Sequence, residues 1–93
     1  MPGAKNSYLG EIKKLFYSSS EASALVGVKI FTLWYWEKQF PMLRVQRSAG
    51  SRQYRQADID MLLKIKDLLY EQRFTIPGAI RYLEKQAAET KTA

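Results

Sequence analysis

The chain has 93 residues, no cysteine, no histidine, 46% hydrophobic residues and a formal net charge of +6. That length fits one domain with a modest core. The missing residue types exclude disulfides, thiolate and imidazole metal sites, and the commonest general base. Residues 1–55 carry nine Lys/Arg and three Asp/Glu, whereas residues 56–93 carry six of each, so the whole positive excess sits in one half. A basic half beside a neutral one is the footprint of a polyanion binder.

No apolar run approaches a membrane span, and Lys5, Lys13 and Lys14 are not followed by the apolar stretch of a signal peptide. We expect a cytoplasmic, nucleoid-associated protein without cofactors or metal. Residues 1–16 read as a partly disordered lead-in, with Ile12, Leu15 and Phe16 forming either a helical turn or an extended arm.

The first clear helix begins at Ser18, where Ser18 and Glu21 have capping-box spacing. Ala22, Leu25 and Val26 give it an apolar face, and Gly27 supplies a turn at positive φ. A second helix is predicted from about Ile30 to Gln39, with Leu33, Trp36, Glu37 and Phe40 on one face and Thr32, Tyr35 and Gln39 on the other. Two short helices joined through a glycine form a helix-turn-helix candidate. Pro41 ends the second helix. Short polar-apolar runs around Ser48-Ala49-Gly50-Ser51 then predict a β-hairpin.

A third helix is predicted over 57–72, with Ile59, Leu62, Leu63, Ile65, Leu69 and Tyr70 as its buried stripe and Asp58 and Asp60 at its dipole-favoured start. Thr75 caps a fourth helix that tolerates Pro77 in its first turn. Ile76, Ala79, Ile80 and Leu83 face inward. The tail after Gln86 has good helix formers but no apolar seam of its own.

Four segments together resemble the MerR family of bacterial transcription regulators: YSSSEASALVGV (17–28), TLWYWEKQFP (32–41), RSAGSRQYRQADI (47–59) and IKDLLYEQRFTIPGAI (65–80). The resemblance implies a mainly α, winged helix-turn-helix fold over 17–86, about four helices with a two-stranded wing. Residues 87–93 would be a tail, the start of a truncated dimerisation helix. It further implies sequence-specific binding to double-stranded DNA: a recognition helix of about 29–40 in the major groove, a wing of about 43–55 on the backbone, and a homodimer on a pseudo-palindromic promoter site.

Residue by residue, the resemblance makes Arg47, Arg52 and Arg55 phosphate ligands, suited to it by the guanidinium fork. Tyr35 donates to backbone oxygen. Tyr54 either donates to phosphate or packs the wing onto the third helix. Lys29, Phe31 and Thr32 sit where base edges or a thymine methyl are met. Ser18 and Ser19 cap the first helix, donate to phosphate, or both, and Lys38 and Arg44 are secondary contacts. Trp36 belongs to the core, Glu37 is a structural acceptor, and Lys64, Lys66, Arg81 and Lys85 are solvated. About five phosphate contacts predict a log–log salt slope near −4 to −5.

Two positions depart from the family pattern. Trp34 stands where the family has an arginine that contacts the backbone, so it stacks on a sugar edge, packs on the wing or meets a protein. Arg73 stands where the family has a glycine, which predicts either a left-handed arginine or a reshaped turn. Two other readings remain open: an excisionase-like architectural DNA binder, and a protein–protein adaptor using Phe31, Trp34 and Tyr35 as an aromatic anchor.

Overall fold

The computed structural model describes residues 15–92; the lead-in expected over 1–16 lies almost entirely outside them. Helix α1 (Ser19–Val26) starts where the capping box placed it. The Glu21 amide donates to Ser18 Oγ at 3.1 Å and the Ser18 amide to Glu21 Oε1 at 2.9 Å. It ends at Gly27, whose φ of 81° is left-handed and whose amide donates to the Ser23 carbonyl. Lys66 Nζ reaches across from a later helix to the Val26 carbonyl at 2.9 Å and satisfies one of the orphan acceptors of this end. The Ser23 hydroxyl donates to the Val28 carbonyl and holds the corner.

Helix α2 (Ile30–Gln39) opens at Lys29, which supplies no side-chain cap, and closes at Phe40 in extended geometry ahead of Pro41. Ala22 and Val26 of α1 pack with Leu33, Trp36 and Phe40, all essentially buried. Strands β1 (Gln46–Ser48) and β2 (Ser51–Gln53) pair antiparallel in the register Gln46–Gln53, Arg47–Arg52 and Ser48–Ser51. The two-residue loop puts Ala49 at φ 53° and Gly50 at φ 79°, as a type I′ turn requires at both central positions.

Beside the hairpin, Tyr17 and Tyr54 exchange backbone bonds of 2.7 and 2.9 Å, so the residue that precedes the α1 cap forms a β-bridge with the residue after β2. Helix α3 (Gln56–Lys66) starts with Asp58 Oδ2 accepting the Arg55 amide at 2.9 Å. It runs into a π-helical turn, Asp67–Glu71. Helix α4 (Ile76–Thr92) is capped by Thr75 Oγ1, which accepts the Gly78 amide at 3.1 Å, and it continues through most of the expected tail. Ala79 and Leu83 seat it in the core, with Ile76 and Ile80 packed alongside. The architecture is the expected one, helices with a short two-stranded wing. No helix among the described residues is long and apolar enough to cross a membrane.

Three packing expectations are corrected. The stripe of α3 is Ile59, Leu62, Ile65 and Leu68, while Leu63 and Tyr70 are largely exposed. Leu63 precedes the π turn and points away from the face that Ile59, Leu62 and Ile65 bury; the π turn then changes the helical register, with Leu68 in the core and Tyr70 at the surface, edge-on to Trp36. Leu25 is likewise half exposed on α1. Lys66 is half-buried on the Val26 carbonyl rather than free in solvent. Arg73 is left-handed, with φ 61°; the Phe74 amide that follows it bonds back to the Leu68 carbonyl at 2.8 Å.

Candidate nucleic-acid interface

The basic residues of the first half collect on α2 and the hairpin. Lys29, Lys38, Arg44, Arg47 and Arg55 are all exposed. Among the described residues the salt bridge is Arg52–Glu37, so those five cations carry no carboxylate partner there. Arg47 and Arg52 stand directly opposite each other across the hairpin. Like charges in that relation are destabilising, and the fold relieves only one of them: Arg52 Nε donates to Glu37 Oε1 at 2.9 Å.

Glu37 is the hub of the region. Its second oxygen, Oε2, accepts the hydroxyl of Tyr54 at 2.5 Å. The Tyr54 ring is fully buried, and burial, reinforced by the bond to the Glu37 carboxylate, pushes its hydroxyl well above its ordinary pKa. Tyr54 therefore leaves the set of expected DNA contacts; of its two readings, packing describes it, although its polar partner lies on α2 rather than on α3. Glu37 is the structural acceptor expected, with Arg52 as the ion-pair partner.

Trp34 sits at the meeting point of three elements. Its Nε1–H donates to Ser19 Oγ on α1 at 3.3 Å. Phe31 meets it edge-on, ring centroids 5.5 Å apart. The Arg52 guanidinium lies over its face, 4.6 Å from the centroid. Trp34 thus packs on the wing. Phe31 itself is 77% exposed and Tyr35 51% exposed, unusual for large aromatics on a short helix. Thr32 is partly exposed on the same helix. Ser18 uses its oxygen as the α1 cap, and Ser19 accepts from Trp34 while its own hydroxyl is hydrogen-bonded to the Tyr54 hydroxyl.

The structure therefore brings Ser19, Phe31, Trp34 and Arg52 into one cluster, with Arg47 facing Arg52 across the hairpin. Lys38 and Arg44 stay separate from this cluster. Sequence reasoning missed the Tyr17–Tyr54 bridge, because single bridging residues carry no periodicity.

A two-helix unit with a glycine corner, followed by a hairpin clamped to the second helix and two bracing helices, defines a winged helix-turn-helix protein. A profile described as MerR HTH family regulatory protein matches residues 17–86, and the chain belongs to that family. Proteins of this family are DNA-binding regulators rather than enzymes. Among solved structures the chain is similar to HiNmlR, a MerR family regulator lacking the sensor domain, bound to promoter DNA. The TM-score is 0.62 at 20% identity; the match covers 78% of this chain and 58% of that one. Comparison with curated proteins gave no match.

Proposed function

We propose that this chain is the DNA-binding part of a MerR-type bacterial transcription regulator that reads a specific double-stranded site. In this reading helix α2 enters the major groove. Phe31 and Thr32 lie toward base edges, with Lys29 beside them, and Tyr35 is directed to the backbone. The hairpin rides on the phosphates through Arg47 and Arg52, with Arg55, Lys38, Arg44 and the Ser18 and Ser19 hydroxyls as further backbone contacts. The observation that carries it is the hairpin's cross-strand arginine pair: Arg47 is left exposed and unneutralised opposite Arg52. A like-charge pair with only one member neutralised is less favourable in the free protein than beside a phosphate backbone.

Homodimerisation on a pseudo-palindromic site belongs to the same proposal. A single such domain buries on the order of 600–1,000 Å² on DNA, so one copy binds weakly and two joined copies bind far more tightly.

Selection of bound duplexes from a random pool at fixed salt tests the reading. A reproducible consensus supports it, and inverted symmetry in that consensus supports the dimer. Arg47→Glu together with Arg55→Glu should then abolish binding without unfolding the chain, since neither side chain has a carboxylate partner among the described residues. Binding that survives both reversals would overturn the proposal.

A further inference from the structure

Trp34 has a single hydrogen-bond donor, the indole Nε1–H. That donor is spent on Ser19 Oγ at 3.3 Å. The residue thus offers a ligand no proton, and what remains is its π face. That face is occupied by the Arg52 guanidinium at 4.6 Å.

Arg52 is held in two ways but not exhausted. Among the described residues Nε is its only nitrogen in a hydrogen bond, to Glu37 Oε1 at 2.9 Å. The two terminal nitrogens carry four N–H donors with no acceptor among the described residues. The side chain retains only 19% of its exposure, yet no buried side-chain nitrogen or oxygen among the described residues lacks a partner. Both terminal nitrogens therefore reach the surface. The result is a guanidinium fixed at Nε, supported on one face by an indole, and open at the paired edge that matches two oxygens of a phosphate.

The indole is itself fixed. Ser19 holds its nitrogen, and Phe31 stands against it at an interplanar angle of 90°. A flexible arginine normally loses rotamer freedom when it grips an anion; here that freedom is already lost in the free protein.

Resting on the DNA-binding reading above, we infer that Trp34 is a positioning residue: it makes no polar contact with the nucleic acid and instead holds Arg52 with its terminal nitrogens presented to a backbone phosphate. The cationic contact in this part of the interface is delivered by the wing, through the aromatic platform of helix α2.

Two measurements test this. In the free protein, the ring current of Trp34 shifts the Arg52 side-chain Nε–H resonance, and Trp34→Leu abolishes that shift while Trp34→Phe retains part of it. An Arg52 resonance at its random-coil position in the wild type overturns the stacking. The second is duplex affinity by anisotropy over a salt series, for the wild type, Trp34→Leu, Trp34→Phe, Arg52→Gln and the Trp34→Leu/Arg52→Gln double variant.

We expect Arg52→Gln and Trp34→Leu each to weaken binding about 10-fold, as for loss of one charge-assisted bond. Each also lowers the magnitude of the log–log salt slope by about 1. The double variant should lose no more than either single variant, and Trp34→Phe should restore the slope. A Trp34→Leu variant that loses affinity with an unchanged slope, or losses that add in the double variant, would show a packing role only and overturn the inference. Wild-type affinity that ignores salt would instead defeat the DNA-binding reading itself, a separate and recognisable outcome.

Discussion

Tyr54 donates its hydroxyl hydrogen to Glu37 Oε2 across 2.5 Å, joining the end of the wing to the last turns of helix α2. The same carboxylate holds Arg52 through its other oxygen. One acidic side chain thereby sets the angle between the two elements assigned to groove and backbone. Removing a partner on either side leaves a half-buried carboxylate oxygen unsatisfied.

Tyr54→Phe should cost about 1–3 kcal/mol, the penalty of stranding that oxygen rather than of losing ring packing. Urea unfolding at neutral pH measures it as a lowered midpoint at unchanged slope. A change within error of zero would mean that Glu37 finds water or Arg52 instead.

The same bond makes stability fall in alkali. Burial and the Glu37 bond raise the hydroxyl pKa in the folded state above its value of 10.0 in the unfolded chain. The folded state then keeps a proton that the unfolded chain releases. The contribution is complete below about pH 10 and is lost progressively as pH rises beyond it. Denaturation at a series of pH values should show a decline above pH 10 that Tyr54→Phe flattens.

Arg73 and Ala49 both hold left-handed backbone that their β-carbons oppose, at φ 61° and 53°. Arg73→Gly relieves about 1–2 kcal/mol of local strain and gives back part of it in unfolded-state entropy, for a net gain near 0.5–1 kcal/mol. Ala49→Asn restores the residue that type I′ turns favour and should add a smaller gain. Calorimetry should show a rise of a few degrees for Arg73→Gly, on the scale of roughly 4–8 °C per kcal/mol for a domain of this size.

The buried face of α3 and of the turn that follows it is tested by a pair of leucines. Leu68→Ala empties a core position and should cost about 2–5 kcal/mol. Leu63→Ala, at a largely exposed position, should stay within about 0.5 kcal/mol of the wild type. Equal effects would mean that α3 turns a different face to the core.

Much of this was legible in the chain because local chemistry and tertiary packing agree. The capping box at Ser18 and Glu21, the glycine corner at Gly27 and the stop at Phe40-Pro41 each encode an element boundary in a few neighbouring residues. The wing was legible from its loop residues, and Glu37 as a structural acceptor from its place beside so many arginines. What escaped depends on long-range geometry. Periodicity allowed Leu63 to share the face of its neighbour Leu62, and it put Tyr70 inside because nothing in the local sequence announces a π turn. Lys66 looks like any surface lysine until the end of α1 is laid beside it. The Tyr54 hydroxyl had two open destinations, and only the register of the hairpin against α2 decides between them. For the interface, the sequence supplied the residue types and the fold supplied the grouping of Ser19, Phe31, Trp34 and Arg52.

The paired amides of Tyr17 and Tyr54 close a long loop that contains α1, α2 and the whole hairpin. A hairpin hinged only at its own ends could flap independently and exchange its protons quickly. This one is stitched to the residue that leads into α1, so freeing it requires parting chain segments distant in sequence. Its amides should share the slow exchange of the helix pair, and the wing should move with α2 as one cooperative unit rather than as a loose finger. The same stitch should form late in folding, because its loop-closure entropy must be met before either bond can form.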